Sequence, residues 1–261
     1  MHEVYGKGVH TNALDELRVL YKLLPGGSFD WKQRVFESKQ NEASHIVWMG
    51  DSIQERLMMW EAAKRSSGHV LCGGLGMGIF PQFALSLPQV RSVHVVEMDS
   101  AVISLIQNNW AKKPWLRKND CSVSQSSIED FLKRTDEKFD TVYIDTWDAL
   151  TFDYLPHVNY LKELARKTLK PDGEILLWGY ELMVRLALQQ ADHIVSRRDY
   201  FLAADKRQLD LMKRQQPLFH KMLTWFLRHA GCSNDEFFTE TYRLATTWKK
   251  DLGRLSLDRI G

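Results

Sequence analysis

One short stretch constrains the fold of this chain more than any other. The segment VLCGGLGMGIF begins at Val70 with strand-forming residues, carries glycines at positions 73, 74, 76 and 78, and ends in an apolar run at Phe80. Glycine permits positive φ and lets another group approach the backbone closely. A helix that starts after such a turn presents free N–H groups to an anionic ligand. The stretch therefore predicts a strand, a tight turn and a helix that together form an anion- or nucleotide-binding corner.

Strand and helix patterns alternate from residue 69 to residue 180. Five segments rich in β-branched and apolar residues are expected to be strands, and helical patterns separate them. These segments are HVLCG, SVHVVE, CSVSQ, FDTVYID and EILLWGY, with KPDG predicted as a turn before the last. Strands separated by helices imply right-handed crossovers, so the pattern predicts an α/β fold with a doubly wound, mostly parallel, Rossmann-like sheet.

The regions on either side of this core have helical patterns. Residues 1–68 are rich in aromatic side chains and contain a capping box, Ser52 with Glu55, before an amphipathic segment. After the fifth strand no convincing β-hairpin follows, and residues 181–261 are mostly helical in pattern. We therefore expect an N-terminal helical lid at 1–68, a cofactor-binding core at 69–180, and a C-terminal helical extension at 181–261 that forms a substrate wall or a dimer interface.

Composition excludes several classes of protein. The 261 residues are 44% hydrophobic and 26% charged, which is ordinary for a globular chain. A net charge of +2 gives no strong field for nucleic acid or a membrane surface. The three cysteines, Cys72, Cys121 and Cys232, show neither metal-ligand spacing nor a disulfide framework. With no signal-peptide or transmembrane pattern, we expect a cytoplasmic protein without a metal site.

A second signal supports nucleoside binding. The predicted strand SVHVVE ends at Glu97, 19 residues after Gly78. An acidic residue at about this distance, at the tip of the second strand, accepts hydrogen bonds from ribose hydroxyls. A glycine turn that serves packing alone would not require this acid. The dinucleotide fingerprint needs glycine or alanine where this chain has Ile79, so a single nucleoside is the better prediction.

These residues resemble a known family. The short form Gly74-x-Gly76-x-Gly78 after a strand, with Glu97 on the next strand and Asp145 after the fourth, resembles the class I S-adenosylmethionine-dependent methyltransferases. The longer pattern VLCGGLGMG…VHVVEMDSAVISLI is similar to the spermidine-synthase-like branch of that fold. The resemblance implies S-adenosyl-L-methionine as cofactor and a small molecule as acceptor, with an amine as one candidate.

The resemblance also implies cofactor contacts. The backbone of Gly73–Gly78 would face the methionine part, Glu97 would hold both ribose hydroxyls, and Met98 would pack on the adenine. Family members often carry an acidic residue for the adenine amino group at the place where this chain has Ser127. The hydroxyl of Ser127, or the backbone at Ile128, would then bind the adenine.

The candidate catalytic residues follow the fourth predicted strand. Asp145 would orient the ammonium group of the cofactor, take a proton from an amine nucleophile, or serve only as a turn or capping carboxylate. Trp147 and Asp148 follow on the loop that should face the acceptor. Trp147 would stack on a substrate, cover the sulfonium or pack beneath the N-terminal helices.

Three functions remain open from the sequence. Methyl transfer to a small molecule is the first. The second uses the same cofactor site for aminopropyl or aminocarboxypropyl transfer, or for cyclisation or cleavage of the cofactor. The third is a catalytically silent cofactor-binding module. The helical extension also leaves a homodimer open.

Overall fold

The structure is a computed structural model. It describes residues 35–41, 44–50, 52–110, 120–147, 149–202, 213, 216–229 and 231–250, with the backbone alone described in 35–50 and 108–110 and at 202.

Seven strands and nine α-helices occur in the described residues. The strands are β1 (Val35–Asn41), β2 (Ser44–Gly50), β3 (Gly68–Gly73), β4 (Val90–Glu97), β5 (Cys121–Gln125), β6 (Phe139–Ile144) and β7 (Leu169–Leu177). The helices are α1 (Ile53–Arg65), α2 (Ile79–Leu85), α3 (Ser100–Trp110), α4 (Ile128–Arg134), α5 (Leu155–Arg166), α6 (Tyr180–Ser196), α7 (Arg198–Leu202), α8 (Pro217–Arg228) and α9 (Asn234–Thr247). A 3₁₀ turn at Phe152–Tyr154 precedes α5.

Five of the strands form one parallel sheet in the order β5-β4-β3-β6-β7. At the end of the central strand β3, Gly73 pairs with Val96 of β4 on one side and with Ile144 of β6 on the other. The chain order reverses direction between β3 and β6, and ligands of open parallel sheets bind beyond the strand ends at such a point. The predicted doubly wound α/β fold is confirmed, and its glycine turn leaves the sheet at this switch point.

Helices lie on both faces of this sheet. The ring of Phe80 in α2 stacks on Tyr143 of β6, with ring centroids 3.7 Å apart and planes at 13°. On the opposite face, the Ile128 side chain of α4 lies so close to Gly73 that an added Cβ would stand 2.7 Å from its Cγ1. Tyr143 and Gly73 lie on opposite faces because Gly73 pairs with Ile144, the neighbour of Tyr143. Coverage of both faces explains why β3 and β6 are almost continuously apolar.

The described part of the N-terminal region contains a β-hairpin that the sequence analysis did not identify. Strands β1 and β2 pair antiparallel, with Val35 opposite Gly50 and Asn41 opposite Ser44. The sequence between them lacks the Asn-Gly or Asp-Gly dipeptide that marks a tight hairpin, so the local signal was weak. Helix α1 was predicted correctly, since the Ser52 hydroxyl accepts a hydrogen bond from the Glu55 N–H at 3.2 Å.

Strand β7 is longer than predicted. It starts at Leu169 and includes the KPDG segment that was expected to be a turn. Proline has no N–H to donate, and it is tolerated in the outermost strand of a sheet. Pro171 and Asp172 are both exposed, and β7 is the last strand on its side of the sheet.

The chain divides into two compact units. Unit 1 contains the residues up to Thr146 together with Leu169–Leu176, and unit 2 contains Trp147–Thr168 and the residues from Leu177 onward. The described elements that lie wholly within unit 2 are helical.

A buried amide joins three helices of unit 2. Asn159 of α5 donates to the carbonyl oxygens of Ala245 (2.8 Å) and Trp248 (3.0 Å), and it accepts from the Tyr180 hydroxyl of α6 (2.8 Å). Because every polar group of this side chain has a partner, the contact fixes the packing of α5, α6 and α9.

A carboxylate at the start of β6 connects four strands of unit 1 through hydrogen bonds. Oδ2 of Asp140 accepts hydrogen bonds from the His69 N–H (2.7 Å), Lys170 Nζ (2.8 Å) and Arg91 Nη2 (3.2 Å). Partial burial acts to raise the pKa of Asp140, but hydrogen bonds from Lys170, His69 and Arg91 outweigh it and lower the pKa to about 2.

We expect Asp140→Asn to destabilise the protein by about 1–3 kcal/mol at neutral pH, the usual loss for hydrogen bonds to a charged group. The folded pKa lies below the unfolded one, so this stability is present above about pH 4 and is lost as pH falls through about 2. Denaturant titration at pH 7 and pH 2 measures both effects. Asp136→Asn, the same change at an exposed position, is the control. Equal stability of the two variants at pH 7 would contradict this role.

Candidate cofactor and active site

The glycine turn has the backbone conformation that its sequence predicts. Gly74, Gly76 and Gly78 all have positive φ, at 94°, 51° and 71°. Gly78 is the left-handed N-cap of α2, and its N–H donates to the Leu75 carbonyl oxygen at 2.8 Å. Residues other than glycine rarely adopt positive φ angles of this kind. The turn therefore needs glycine for its conformation, and its backbone leads into the N-terminus of α2.

Glu97 is fixed against this turn. Its Oε2 accepts a hydrogen bond from the Leu75 N–H at 2.8 Å, and its Oε1 accepts from the N–H groups of Met98 (2.7 Å) and Asp99 (2.9 Å). The two signals found separately in the sequence, the glycines and the acid, thus meet in space. A carboxylate offers about four lone-pair positions, so three bonds leave capacity for one further donor.

Met98 extends from the tip of β4 beside Glu97. Its side chain is 48% exposed, which is high for a large apolar residue. The predicted contact between Met98 and an adenine ring agrees with this exposure and stays a prediction.

We expect Glu97→Ala to weaken the binding of S-adenosylmethionine by about 10- to 100-fold. The variant loses the carboxylate that we expect to accept from the ribose, and a hydrogen bond to a charged group contributes roughly 1.5–3 kcal/mol. It also loses the hydrogen bond that holds the Leu75 N–H in the turn. Isothermal titration calorimetry measures the affinity, with Glu61→Ala at an exposed position of α1 as control. Unchanged affinity in a folded Glu97→Ala protein would remove Glu97 from the site.

Ser127 and Ile128 have structural contacts of their own. The Ser127 hydroxyl accepts a hydrogen bond from the Asp130 N–H at 3.1 Å and so caps α4. Ile128 is buried, and its side chain fills the space above Gly73. The predicted adenine contacts by these two residues therefore depend on the second lone pair of the hydroxyl and on the backbone at Ile128.

Asp145 follows β6 directly, and hydrogen bonds fix both its backbone and its side chain. Its N–H donates to the Gly73 carbonyl oxygen at 2.8 Å, and its Oδ2 accepts a hydrogen bond from the Tyr143 hydroxyl at 3.3 Å. Burial raises the pKa of Asp145 to about 7, the Tyr143 hydrogen bond opposes this rise, and the charge of Glu55 adds to it. A carboxyl group with a pKa near neutrality can accept and release a proton at physiological pH.

The sequence analysis missed two neighbours of this carboxyl. Burial, followed by the charge of Asp145, raises the pKa of Tyr143 well above its usual value, so its hydroxyl remains a donor. Tyr143 precedes Asp145 by two positions, and this spacing places both side chains on one face of a strand. Glu55 was interpreted only as part of a helix cap, and no local pattern links it to Asp145.

Trp147 begins unit 2. It is 6% exposed, and its Nε1 has no acceptor in the described part of the chain. Asp148 lies outside the described residues, and its predicted role stays a prediction.

No cluster of metal ligands and no spanning helix occurs in the described regions. Among these residues, no three His, Cys, Asp or Glu side chains are grouped so that they could hold a metal ion. No helix there combines the length and the apolar character that crossing a membrane requires.

Comparisons with known proteins find similarity in structure. No protein-family model matches the sequence, and a search of curated proteins found no significant match. The glycopeptide N-methyltransferase MtfA complexed with sinefungin is 26% identical over 47% of this chain and 49% of its own, with a TM-score of 0.39. Spermidine synthase from Thermotoga maritima is 15% identical over 59% of each chain, with a TM-score of 0.38.

A third solved structure covers a similar share of the chain. The O-methyltransferase TomG from Streptomyces achromogenes, in complex with SAM, is 18% identical over 50% of this chain and 56% of its own, with a TM-score of 0.38. The chain thus spans between 49% and 59% of the length of these three structures. The observed strand order β5-β4-β3-β6-β7, with helices on both faces, is the Rossmann-like parallel sheet that the sequence predicts.

Proposed function

We propose that this chain is an S-adenosylmethionine-dependent transferase that moves a methyl group to a small-molecule acceptor, with an amine as the nucleophile. The observation that carries the proposal is the meeting of Glu97 with the glycine turn, through the 2.8 Å hydrogen bond from the Leu75 N–H. This contact supports the proposal because a carboxylate with one acceptor position left for a ribose hydroxyl then lies beside a backbone that a ligand can approach closely.

The residues at this corner fit the cofactor by their chemistry. Glu97 keeps acceptor capacity for a hydroxyl, and Met98 offers an exposed apolar surface for a flat ring. The backbone of Gly74 and Gly76 stands at the switch point of the sheet, where nucleotides bind in such folds. When bound, S-adenosylmethionine supplies an activated methyl group.

Asp145 is proposed to act as the general base that takes a proton from the acceptor. An amine is mostly protonated at neutral pH and must lose a proton to become a nucleophile. The ionised Asp145 carboxylate would bind the ammonium form and accept that proton at a carboxylate oxygen, directly or through water. Tyr143 holds the carboxyl in place by its hydrogen bond, and the Glu55 charge favours proton uptake by raising the pKa of Asp145.

The proposal is tested by identifying the by-product. The protein is incubated with S-adenosylmethionine and a panel of primary and secondary amines, and the nucleoside product is identified by mass spectrometry. We expect S-adenosylhomocysteine. Methylthioadenosine would instead indicate arm transfer or cleavage of the cofactor, and tight binding without turnover over a broad acceptor panel would indicate a silent module. Absence of binding in calorimetry would contradict the cofactor assignment itself.

A further inference from the structure

Two consecutive peptide groups at the start of the glycine turn have hydrogen-bond partners at both ends. In the first peptide, between Gly73 and Gly74, the Gly73 carbonyl oxygen accepts from the Asp145 N–H at 2.8 Å. The Gly74 N–H donates to the Val96 carbonyl oxygen at 2.9 Å. Backbone groups of β4 and of the residue after β6 therefore fix this peptide.

The second peptide, between Gly74 and Leu75, is held by two side chains instead. The Gly74 carbonyl oxygen accepts a hydrogen bond from the Cys72 thiol, with the sulfur and oxygen atoms 3.1 Å apart. The Leu75 N–H donates to Oε2 of Glu97 at 2.8 Å. The peptide is trans, so its C=O and N–H point in opposite directions. The thiol and the carboxylate thus hold the same peptide from opposite sides.

The surroundings of Cys72 keep its thiol a donor. The side chain is fully buried on β3. Burial, followed by the charge of Asp145, raises the pKa of the Cys72 thiol well above its usual value, so the sulfur keeps its proton at neutral pH. Many buried cysteines serve only as small apolar side chains that fill the core. The 3.1 Å contact with a backbone oxygen distinguishes Cys72 from a cysteine of that kind.

The orientation of the Gly74–Leu75 peptide decides which group faces Glu97. Glycine is the residue whose backbone torsions are least restricted by sterics. Hydrogen bonds therefore have to fix the peptide that follows Gly74. Loss of the thiol proton would release the carbonyl end, and rotation of the peptide would then move the Leu75 N–H away from the Glu97 carboxylate.

We propose that Cys72 is a positioning residue for cofactor binding. Its thiol holds the Gly74 carbonyl, and through the Gly74–Leu75 peptide it keeps the Glu97 carboxylate in place for the ribose hydroxyls. This inference rests on the proposed function. The sequence analysis assigned no role to this cysteine, because the contact depends on the conformation of the turn.

Replacement of the thiol separates its donor role from its volume. Cys72→Ala and Cys72→Ser both remove the sulfur atom, but serine keeps a hydroxyl donor. We expect Cys72→Ala to weaken S-adenosylmethionine binding about three- to tenfold, the range for a neutral hydrogen bond, and Cys72→Ser to recover most of this loss. Isothermal titration calorimetry measures the affinities, with Cys121→Ala, at a partly buried thiol of β5, as control. Equal affinities of the alanine and serine variants would contradict a donor role.

A double-mutant cycle tests the path through Glu97. In the Glu97→Ala background the peptide has no carboxylate to position, so adding Cys72→Ala should change the affinity by less than about twofold. If the two losses simply add, Cys72 stabilises the fold without positioning the carboxylate, and the inference is wrong.

The hydrogen bond of the Leu75 amide can be measured without the cofactor. In free protein the Leu75 amide proton should exchange with deuterated solvent about tenfold faster in Cys72→Ala than in the wild type, because its contact with Glu97 is weakened. Cys121→Ala should leave the exchange rate unchanged. An unchanged rate in Cys72→Ala would overturn the inference.

The S–H stretching band in the infrared spectrum keeps the test available if Cys72→Ala fails to fold. The chain has three cysteines, so Cys121→Ala and Cys232→Ala identify the bands of the other two thiols. The remaining band, from Cys72, should lie at the lower frequency of a hydrogen-bonded thiol. A free-thiol band in protein that binds S-adenosylmethionine would overturn this inference alone. A hydrogen-bonded band in protein that does not bind S-adenosylmethionine would overturn the cofactor assignment on which it rests.

Discussion

Turnover of the variant Asp145→Asn is expected to fall by about 10²- to 10⁴-fold, the range that positioned general bases contribute. The substitution keeps the size of the side chain and its contact with the Tyr143 hydroxyl, but it removes the basic oxygen. Affinity for S-adenosylmethionine should fall far less. Steady-state kinetics with an amine acceptor and calorimetry with the cofactor measure the two quantities independently.

The pH profile gives a sharper test of the same residue. Because the pKa of Asp145 is raised to about 7, the wild-type kcat/KM should rise with pH through about 7. Tyr143→Phe removes the hydrogen bond that opposes this rise, so its profile should move to higher pH while the maximum rate is largely kept. A profile that does not move would mean that Tyr143 has a purely structural role.

The outcomes for Asp145→Asn separate three roles. Loss of cofactor affinity together with rate would mean that Asp145 holds the ammonium group of the cofactor and is not a base. If neither quantity changes, Asp148 or no carboxylate serves as base, and a non-amine acceptor becomes the better hypothesis.

Stability provides the control for this variant. The folded pKa of Asp145 exceeds the ordinary value of about 4 for aspartate. Its bound proton therefore stabilises the fold below about pH 4, and this contribution is lost as pH rises through about 7. Asp145→Asn has no such loss, so above pH 7 its free energy of unfolding should equal or exceed that of the wild type. A clear drop there would show that low activity reflects unfolding.

Gly74→Ala is expected to have the second large effect. An added Cβ would stand 2.2 Å from the Asp145 carbonyl oxygen, a backbone atom, at a φ of 94°. Strain and overpacking together should cost about 2–4 kcal/mol of stability. Displacement of the turn should also lower cofactor affinity about 100-fold, which corresponds to about 3 kcal/mol. Denaturant titration and calorimetry measure these two losses.

Gly231→Ala is the matched control. A Cβ at Gly231 meets no atom within 4 Å, so the change should leave stability and cofactor affinity nearly unaltered. If Gly74→Ala behaved like Gly231→Ala, the close approach between the ends of β3 and β6 would not exist in solution.

The sequence predicted the features that depend on neighbouring residues. The glycine turn and the cap at Ser52 involve residues a few positions apart, where side-chain type alone decides conformation. The order of the parallel strands followed from their alternation with helices, because crossover connections are short and right-handed.

What the sequence did not predict depends on contacts across the fold. The charge of Glu55 raises the pKa of Asp145, although the two residues are 90 positions apart in the chain. The side chain of Leu150 contacts Gly179, which lies on a different loop. Ser127 was assigned to adenine binding, but the resemblance could not show that its hydroxyl already caps α4. Contacts of this kind appear only when the packing is known.

The outer border of β7 has a consequence for self-association. A second copy can extend a sheet only by pairing its main-chain groups with the last strand, and a strand that offers no unbroken row of N–H donors is a poor template. Pro171 interrupts this row, and the exposed Asp172 beside it would place a charge in any such junction. Edge-to-edge aggregation is therefore disfavoured along the first half of β7.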